Sequence, residues 1–361
     1  MTQPSPHDEL AEQYDAVVVG GGAAGLSAAL ALGRARRAVL VVDAGDPRNA
    51  PAGRVHNFLT SEGTPPAELL AAGRAEVAGY GVRVLSATAT SARRLAGEAA
   101  DAPGRARFQV DLADGRAVRA RRLVVTTGLV DELPELDGLA ERWGRDVLHC
   151  PYCHGWEVRD QAIGVLATGP TAVHQALLFR QLSADVVLFQ HTGPALSAAQ
   201  AEQLAARQIP VVDGEVAAVV VRDDRLTGVR LRSGRVVARQ ALVVAPRFTA
   251  RAGVLAGLGL ATSELVVDGH VLGSHVPADA TGATSVAGVW VAGNVADPMA
   301  QVVMAAAAGL RAGAAVNGDL VNEDTAGAVA AHRALTEAEL FSARAEAEVC
   351  EQVVGARRHG V

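Results

Sequence analysis

The chain has 361 residues, half of them hydrophobic and 38 of them glycine, which suits two packed α/β domains rich in tight strand–helix turns. A net charge of −6 argues against a broad nucleic-acid-binding face, because neutralising phosphates needs clustered positive charge. No stretch approaches the roughly 20 apolar residues that span a bilayer. Met1–Tyr14 lacks a basic segment followed by an apolar one, so a cytoplasmic protein with no membrane contact is expected. Three cysteines are too few for a disulfide scaffold, and in a reducing compartment a close pair reads as catalytic or metal-binding.

In chain order, Asp15–Val19 reads as a strand and is followed by Gly20, Gly22, Ala23, Ala24 and Gly25. A helical pattern runs from Leu26 to about Arg36, and a second strand, Ala38–Val42, ends in Asp43. This is a βαβ unit with a dinucleotide fingerprint. Gly20 permits the tight turn, Gly22 lets the backbone approach a pyrophosphate, and Gly25 lets helix and strand pack closely. The helix start faces the phosphates and Asp43 accepts from a ribose diol. From Asp46 to Pro66 the chain reads as loop.

Strands are expected at Val82–Leu85, Phe108–Leu112 and Leu123–Val125, the last running into the turn of Thr126, Thr127 and Gly128. A second βαβ unit follows: strand Ala162–Leu166, helix Ala172–Gln181, strand Val186–Phe189. Further strands fall at Val216–Arg222, Val229–Leu231 and Ala241–Val244. A strand from Val289 then turns at Gly293 and Asn294 into a helix over Ala300–Ala315. The expected architecture is α/β, with two Rossmann-like (three-layer ββα) nucleotide-binding domains, the second inserted into the first. Domain one would span 1–129 and 245–322, and domain two 130–244. A polar, helical C-terminal extension, 323–361, carries Thr336 and Glu339 before Leu340 in the pattern of a capping box. It reads equally as a partner-binding element or a solvated helix, and it holds the third cysteine, Cys350.

The Gly20 fingerprint, Asp43, the Thr126–Gly128 turn, a CxxC in the inserted domain and Gly293–Asn294 occur in one order. In that order the chain resembles the low-molecular-weight thioredoxin reductase family of flavoproteins, from about Tyr14 to Asn322. The resemblance implies that FAD is the cofactor, with its ADP half on the first fingerprint and its ribitol near Gly293–Asn294. The family carries Asp where this chain has Asn294, which can hydrogen-bond a hydroxyl but brings no charge. Ala300, Gln301 and Val302 match the segment beside the flavin's pyrimidine edge. Arg48, Asn49, His56 and Asn57 lie in the loop expected to cover the cofactor. A homodimer is implied as well.

Cys150 and Cys153 form the CxxC. Two spacer residues close a disulfide at a helix start, where the helix dipole lowers thiol pKa values. Zinc is the alternative, since His149 and His154 flank the pair. Its four tetrahedral ligands, however, normally come from separated knuckles. The family has Asp after the second cysteine, and this chain has His154. Histidine, with an ordinary pKa near 6.5, can take a proton from an incoming thiol at neutral pH, whereas a normal Asp is a far weaker base.

The second fingerprint is degenerate: Ala167, Thr168, Gly169 and Pro170 replace the glycine turn. Gln190, His191 and Thr192 stand where the reductases place the arginines that clamp an NADPH 2′-phosphate, and Arg180 is the only arginine between Gln161 and Ala206. CxxC-His, an FAD fingerprint and an eroded NADPH site together resemble the dithiol oxidases of this superfamily. Those enzymes close disulfides in natural products such as holomycin and gliotoxin with O2 as acceptor, giving hydrogen peroxide. The implied substrate is a small-molecule dithiol, with Cys150 the exchanging sulfur and Cys153 the flavin-side sulfur. An NAD(P)H-dependent thioredoxin-disulfide reductase and a flavin-bound redox sensor are the alternatives.

Overall fold

A computed structural model describes residues 10–97, 104–267, 269–340 and 342–354. The chain opens with β1 (Tyr14–Val19), α1 (Ala23–Arg34) and β2 (Val39–Asp43), followed by α2 (Pro66–Ala78) and β3 (Arg83–Ser86). Three further strands, β4 (Ala89–Arg94), β5 (Phe108–Leu112) and β6 (Ala117–Val125), complete the order β3-β2-β1-β6-β5-β4. β1, β2, β3 and β6 are parallel, while β4 and β5 form an antiparallel branch. The apolar runs of β1, β2 and the end of β6 are buried on both faces, as a helix-covered parallel sheet requires. Val17 and Val19 point to one core, which includes Phe108 and Val110. Ala16 and Val18 point to the other, against Leu26, Ala29 and Leu32 of α1.

β7 (Leu129–Glu132) leads into a second unit built from β8 (Val147–Leu148), α3 (Pro151–His154), β9 (Ile163–Leu166), α4 (Ala172–Phe179) and β10 (Val186–Phe189). It continues through α5 (Ala198–Ala206), β11 (Val211–Val212), a meander of β12 (Val216–Arg222), β13 (Arg225–Leu231) and β14 (Val236–Val237), and closes with β15 (Ala241–Val243). Its main sheet is parallel throughout, in the order β11-β10-β9-β15-β8. The chain leaves through β16 (Arg247–Ala250), which pairs antiparallel with β7 and joins β17 (Ser263–Val267) and β18 (His270–His275) in a four-stranded sheet.

β19 (Val289–Val291) returns to the first sheet, parallel to β6 at Leu123–Val125. α6 (Val302–Leu340) then lies along α1, and α7 (Ala343–Val354) follows. Small residues let the two long helices touch. A Cβ added at Gly309 would sit 1.9 Å from the Ala24 carbonyl oxygen, and one at Gly313 would sit 2.7 Å from that of Ala28. The expected capping box is overturned. Thr336 lies inside the unbroken α6 and its hydroxyl donates back to the His332 carbonyl at 3.0 Å, so no helix starts there. The helix expected to end at Ala315 runs on through residue 323 without a break. Among the described residues no helix is long and apolar enough to cross a membrane.

Candidate active site

The first fingerprint is built as its glycines demand. Gly20 has φ +107°, and a Cβ there would lie 2.5 Å from the Thr126 carbonyl oxygen; at Gly25 it would lie 1.9 Å from that of Gly20. At Gly22 an added Cβ would meet nothing within 4 Å, so this backbone faces open space at the start of α1. Gly21, which the motif leaves unassigned, is also fixed. Its N–H donates to Asp43 Oδ1 at 3.0 Å, and a Cβ there would strike the Asp43 carboxyl. Thr126 hydroxyl donates to Gly20 O at 2.9 Å and Thr127 hydroxyl to Arg251 O at 2.6 Å.

A cleft of about 690 Å³ begins at this fingerprint. Gly20, Gly22, Ala23, Ala24, Asp43, Thr127 and Gly128 line one end. Gly293, Asn294, Ala300, Gln301 and Val302 line its flank, and Arg48, Asn49 and His56 its covering loop. Cys150, Cys153, His149 and His154 line the same cleft. Gly25 and Asn57 do not line it: Gly25 lies under the turn, and Asn57 Nδ2 donates to the Tyr152 carbonyl at 2.6 Å, pinning the loop to the CxxC segment. Open backbone at Gly22, a helix start and a carboxylate with one oxygen to spare suit a dinucleotide's pyrophosphate and ribose.

Some polar groups of the cleft are committed to the protein itself. Asn294 Nδ2 donates to the carbonyls of Ala300 at 2.8 Å and Asp297 at 3.1 Å, so its amide holds the turn before α6 and only Oδ1 is left to face a ligand. A carboxylate there would face those carbonyls without a donor. Arg48 makes a bidentate pair with Asp131, at 2.8 and 2.6 Å, and stacks 5.3 Å above the Phe248 ring. Arg251, unassigned from the sequence, also lines the cleft and is tied to Asp46.

A disulfide joins Cys150 and Cys153, whose Cα atoms are 5.2 Å apart. Cys150 is the N-cap of α3, and its Sγ accepts the Cys153 N–H at 3.1 Å. Pro151 at the first helical position sets the φ that starts the turn. His154 ends α3 with Nε2 enclosed and without a hydrogen-bond partner. Its burial lowers its proton affinity; Glu157 raises it and His56 lowers it again. His149 is lowered by burial as well, and its Nδ1 lies 3.1 Å from Val244 O and 3.0 Å from the Gln175 amide nitrogen.

The second unit differs at the corresponding place. A Cβ added at Gly193 would lie 2.7 Å from Ala167 Cβ, so the loop after β10 packs closely on the end of β9. Gln190 Nε2 donates to the Pro194 carbonyl at 2.6 Å, and His191 Nδ1 accepts the Val216 N–H at 3.0 Å. Arg180 is spent on the carbonyls of Arg207 at 2.9 Å and Ser183 at 3.2 Å.

The family model for pyridine nucleotide-disulphide oxidoreductases matches residues 14–309. The chain is similar to thioredoxin reductase sirT of Leptosphaeria maculans, 31% identical over 330 residues, 87% of this chain and 96% of that protein. It is 35% identical over 179 residues to a probable thioredoxin reductase of Arthroderma benhamiae, covering 49% of this chain and 43% of that one. The chain thus spans about half the length of some curated relatives and nearly all of another. Among solved structures, the crystal structure of HlmI is 49% identical with a TM-score of 0.81, over 90% of this chain and 98% of that one.

Proposed function

This chain belongs to the pyridine nucleotide-disulphide oxidoreductase family and is an oxidoreductase acting on sulfur groups, and we propose that within it the protein is an FAD-dependent dithiol oxidase. The observation that carries this reading is a contrast between the two units. One cleft joins the first fingerprint to the disulfide and His154, whereas the second turn has Ala167 for its first glycine and Pro170 within it, and the nearby Gln190 and Arg180 are bonded to protein carbonyls. Electrons would then come from a thiol rather than from a nicotinamide.

In this reading a small-molecule dithiol approaches Cys150, and His154 Nε2, free of protein partners, takes the proton of its first thiol. Burial keeps His154 neutral at pH 7, the form a base needs. The substrate thiolate attacks Cys150 Sγ, the Cys150–Cys153 bond breaks, and Cys153 leaves as a thiolate. The second substrate thiol attacks the mixed disulfide and closes the product. Cys150 leaves as a thiolate steadied by the Cys153 N–H. Two electrons and two protons have passed to the protein: the departing Cys150 thiolate takes up the proton of the second substrate thiol, and the first proton remains with the base. Bound FAD, held by Gly20, Gly22, Asp43, Gly293 and Asn294, would supply the acceptor for the electron pair and its delivery to O2 as hydrogen peroxide. A cytoplasmic homodimer belongs to the same reading.

The test is anaerobic. Dithiol should bleach the yellow protein while stoichiometric NADPH does not, and air should restore the colour with peroxide release. Rapid bleaching by NADPH would sink the oxidase reading in favour of a reductase of the kind that the relatives' names describe.

A further inference from the structure

Oxidising a dithiol to a disulfide releases two protons, and His154 accounts for one. It still holds that proton when the second substrate thiol attacks. In thiol–disulfide exchange the incoming sulfur approaches opposite the leaving one, so the second thiol cannot hand its proton straight to the departing Cys150. A second carrier is needed beside Cys150, and the residue before it is a histidine that the mechanism leaves idle.

His149 lines the same cleft as both cysteines, and its ring packs edge-on against Phe248 with the centroids 5.3 Å apart. Nδ1 is turned into the protein, 3.1 Å from Val244 O and 3.0 Å from Gln175 Nε2, which leaves Nε2, at the far edge of the ring, for the cleft. One Nδ1 cannot serve both neighbours in one state: protonated, it donates to Val244 O; bare, it accepts from Gln175. Each neutral tautomer therefore has its partner, and the ring can offer the cleft a lone pair or an N–H without moving. Gln175 is 5% exposed on α4, and its Oε1 is enclosed without a hydrogen-bond partner. A buried amide oxygen left unpaired costs stability. Turned over, the same amide would bring Oε1 to a protonated Nδ1, so it can follow the ring through either state.

We propose that His149 carries the proton of the second substrate thiol to Cys150, and that Gln175 is the positioning residue that holds its ring for this transfer. Both roles rest on the dithiol-oxidase reading. Nε2 takes the thiol proton while Val244 O holds Nδ1–H. The thiolate attacks the substrate sulfur bound to Cys150, that S–S bond breaks, and its electron pair stays on Cys150. Once the product disulfide leaves, Nε2 returns the proton to Cys150 Sγ and the ring is neutral again. Burial lowers the His149 pKa, so the ring starts neutral at pH 7; Arg48 of the covering loop lowers it further and Asp131 of β7 raises it. Those two charges are paired with each other. α4, the end of β15 and β16 give the ring Gln175, Val244 and Phe248, none of which titrates, and the other titratable groups of the site are the two cysteines and His154.

The experiment uses flavin-loaded protein, anaerobic acid quench, intact mass and two probes. Dithiothreitol forms a mixed disulfide on Cys150 and resolves it, whereas 2-mercaptoethanol has no second thiol of its own to do so. In His149→Gln the mercaptoethanol adduct should form at the wild-type rate. The dithiothreitol adduct should accumulate, because its resolution at pH 7 slows about tenfold or more, toward the low side of a positioned acid–base group. The loss should shrink at pH 9, where thiols of pKa near 8.5 ionise unaided. Gln175→Met should slow the same step. Gln175→Glu keeps the shape and adds charge beside Nδ1, so it should move the acid limb of that step to higher pH by favouring the protonated ring. Should His149→Gln resolve the adduct at the wild-type rate, or slow both probes alike, His149 is not the carrier of the second proton. If neither Gln175 variant changes the rate or the acid limb, its positioning role falls. A wild-type disulfide that dithiothreitol leaves intact overturns the oxidase reading and both roles with it.

Discussion

Replacing Glu323 by Gln should cost this protein a stability that depends on pH in a defined way. The Glu323 carboxylate lies where α6 meets the first sheet. It accepts the Gly104 N–H at 3.0 Å, Arg121 Nη2 at 2.9 Å, Arg122 Nη2 at 2.7 Å and Arg107 Nη2 at 2.9 Å. Its side chain is 8% exposed, and those of Arg121 and Arg122 are 7% and 3% exposed. Burial pushes its pKa up, but the Gly104 N–H and the two guanidiniums outweigh it and bring the pKa from 4.5 down to about 2. At about 1.4 kcal/mol per pKa unit, the shift corresponds to about 3 kcal/mol between the charged and neutral forms. Because the folded pKa is the lower one, this stability is fully present above pH 4.5 and is lost as pH falls toward 2. Urea unfolding should therefore show Glu323→Gln less stable than wild type by about 3 kcal/mol at pH 7, with the gap closing as pH approaches 2. A gap of the same size at pH 7 and pH 3 would refute the electrostatic origin, and no gap at pH 7 would refute the clamp itself.

His154→Ala should slow reduction of the disulfide by dithiol about 10²-fold or more at pH 7, and less at pH 9, where substrate thiols of pKa near 8.5 ionise unaided. Since burial lowers the His154 pKa, the acid limb of the wild-type rate, followed by stopped flow, should lie below pH 6.5. Cys153→Ser should trap substrate on Cys150 as a mixed disulfide visible by intact mass, and an adduct trapped at Cys153 in Cys150→Ser instead would reverse the two roles. Gly22→Val, pointing into open space, should give folded protein that retains little flavin by absorbance. Gly25→Ala should give little soluble protein, because its Cβ would sit 1.9 Å from the Gly20 carbonyl oxygen.

What could be read from the sequence was what neighbours in the chain decide. Gly20, Gly25 and Asp43 are bound to one another through a single turn and its flanking strands, so their spacing carried their geometry. α2 escaped notice because only Pro66 and Val77 of its 13 residues are buried, leaving no apolar stripe to read. β4 was missed because its one buried residue is Ala92, too small to mark an alternating face. Thr336 and Glu339 have the spacing of a helix start, but α6 already runs through them, and tertiary context overrode a local signal. The setting of His56 depends on Glu157, 101 residues away, and the commitment of the Asn294 amide depends on a turn whose carbonyl directions no residue pattern announces.

The resting of Gly193 on Ala167 also bears on redesign. Grafting arginines at positions 190–192 would supply charge for a 2′-phosphate, yet the adjoining Gly193 packs so closely on Ala167 that an added Cβ would sit 2.7 Å from the Ala167 Cβ. The Val216 N–H, now bonded to His191, would lose its acceptor if that residue were changed. A switch of electron donor in this scaffold would therefore have to keep glycine at 193 and give the Val216 N–H a new acceptor, because the 190–193 segment is tied both to the end of β9 and to the start of β12.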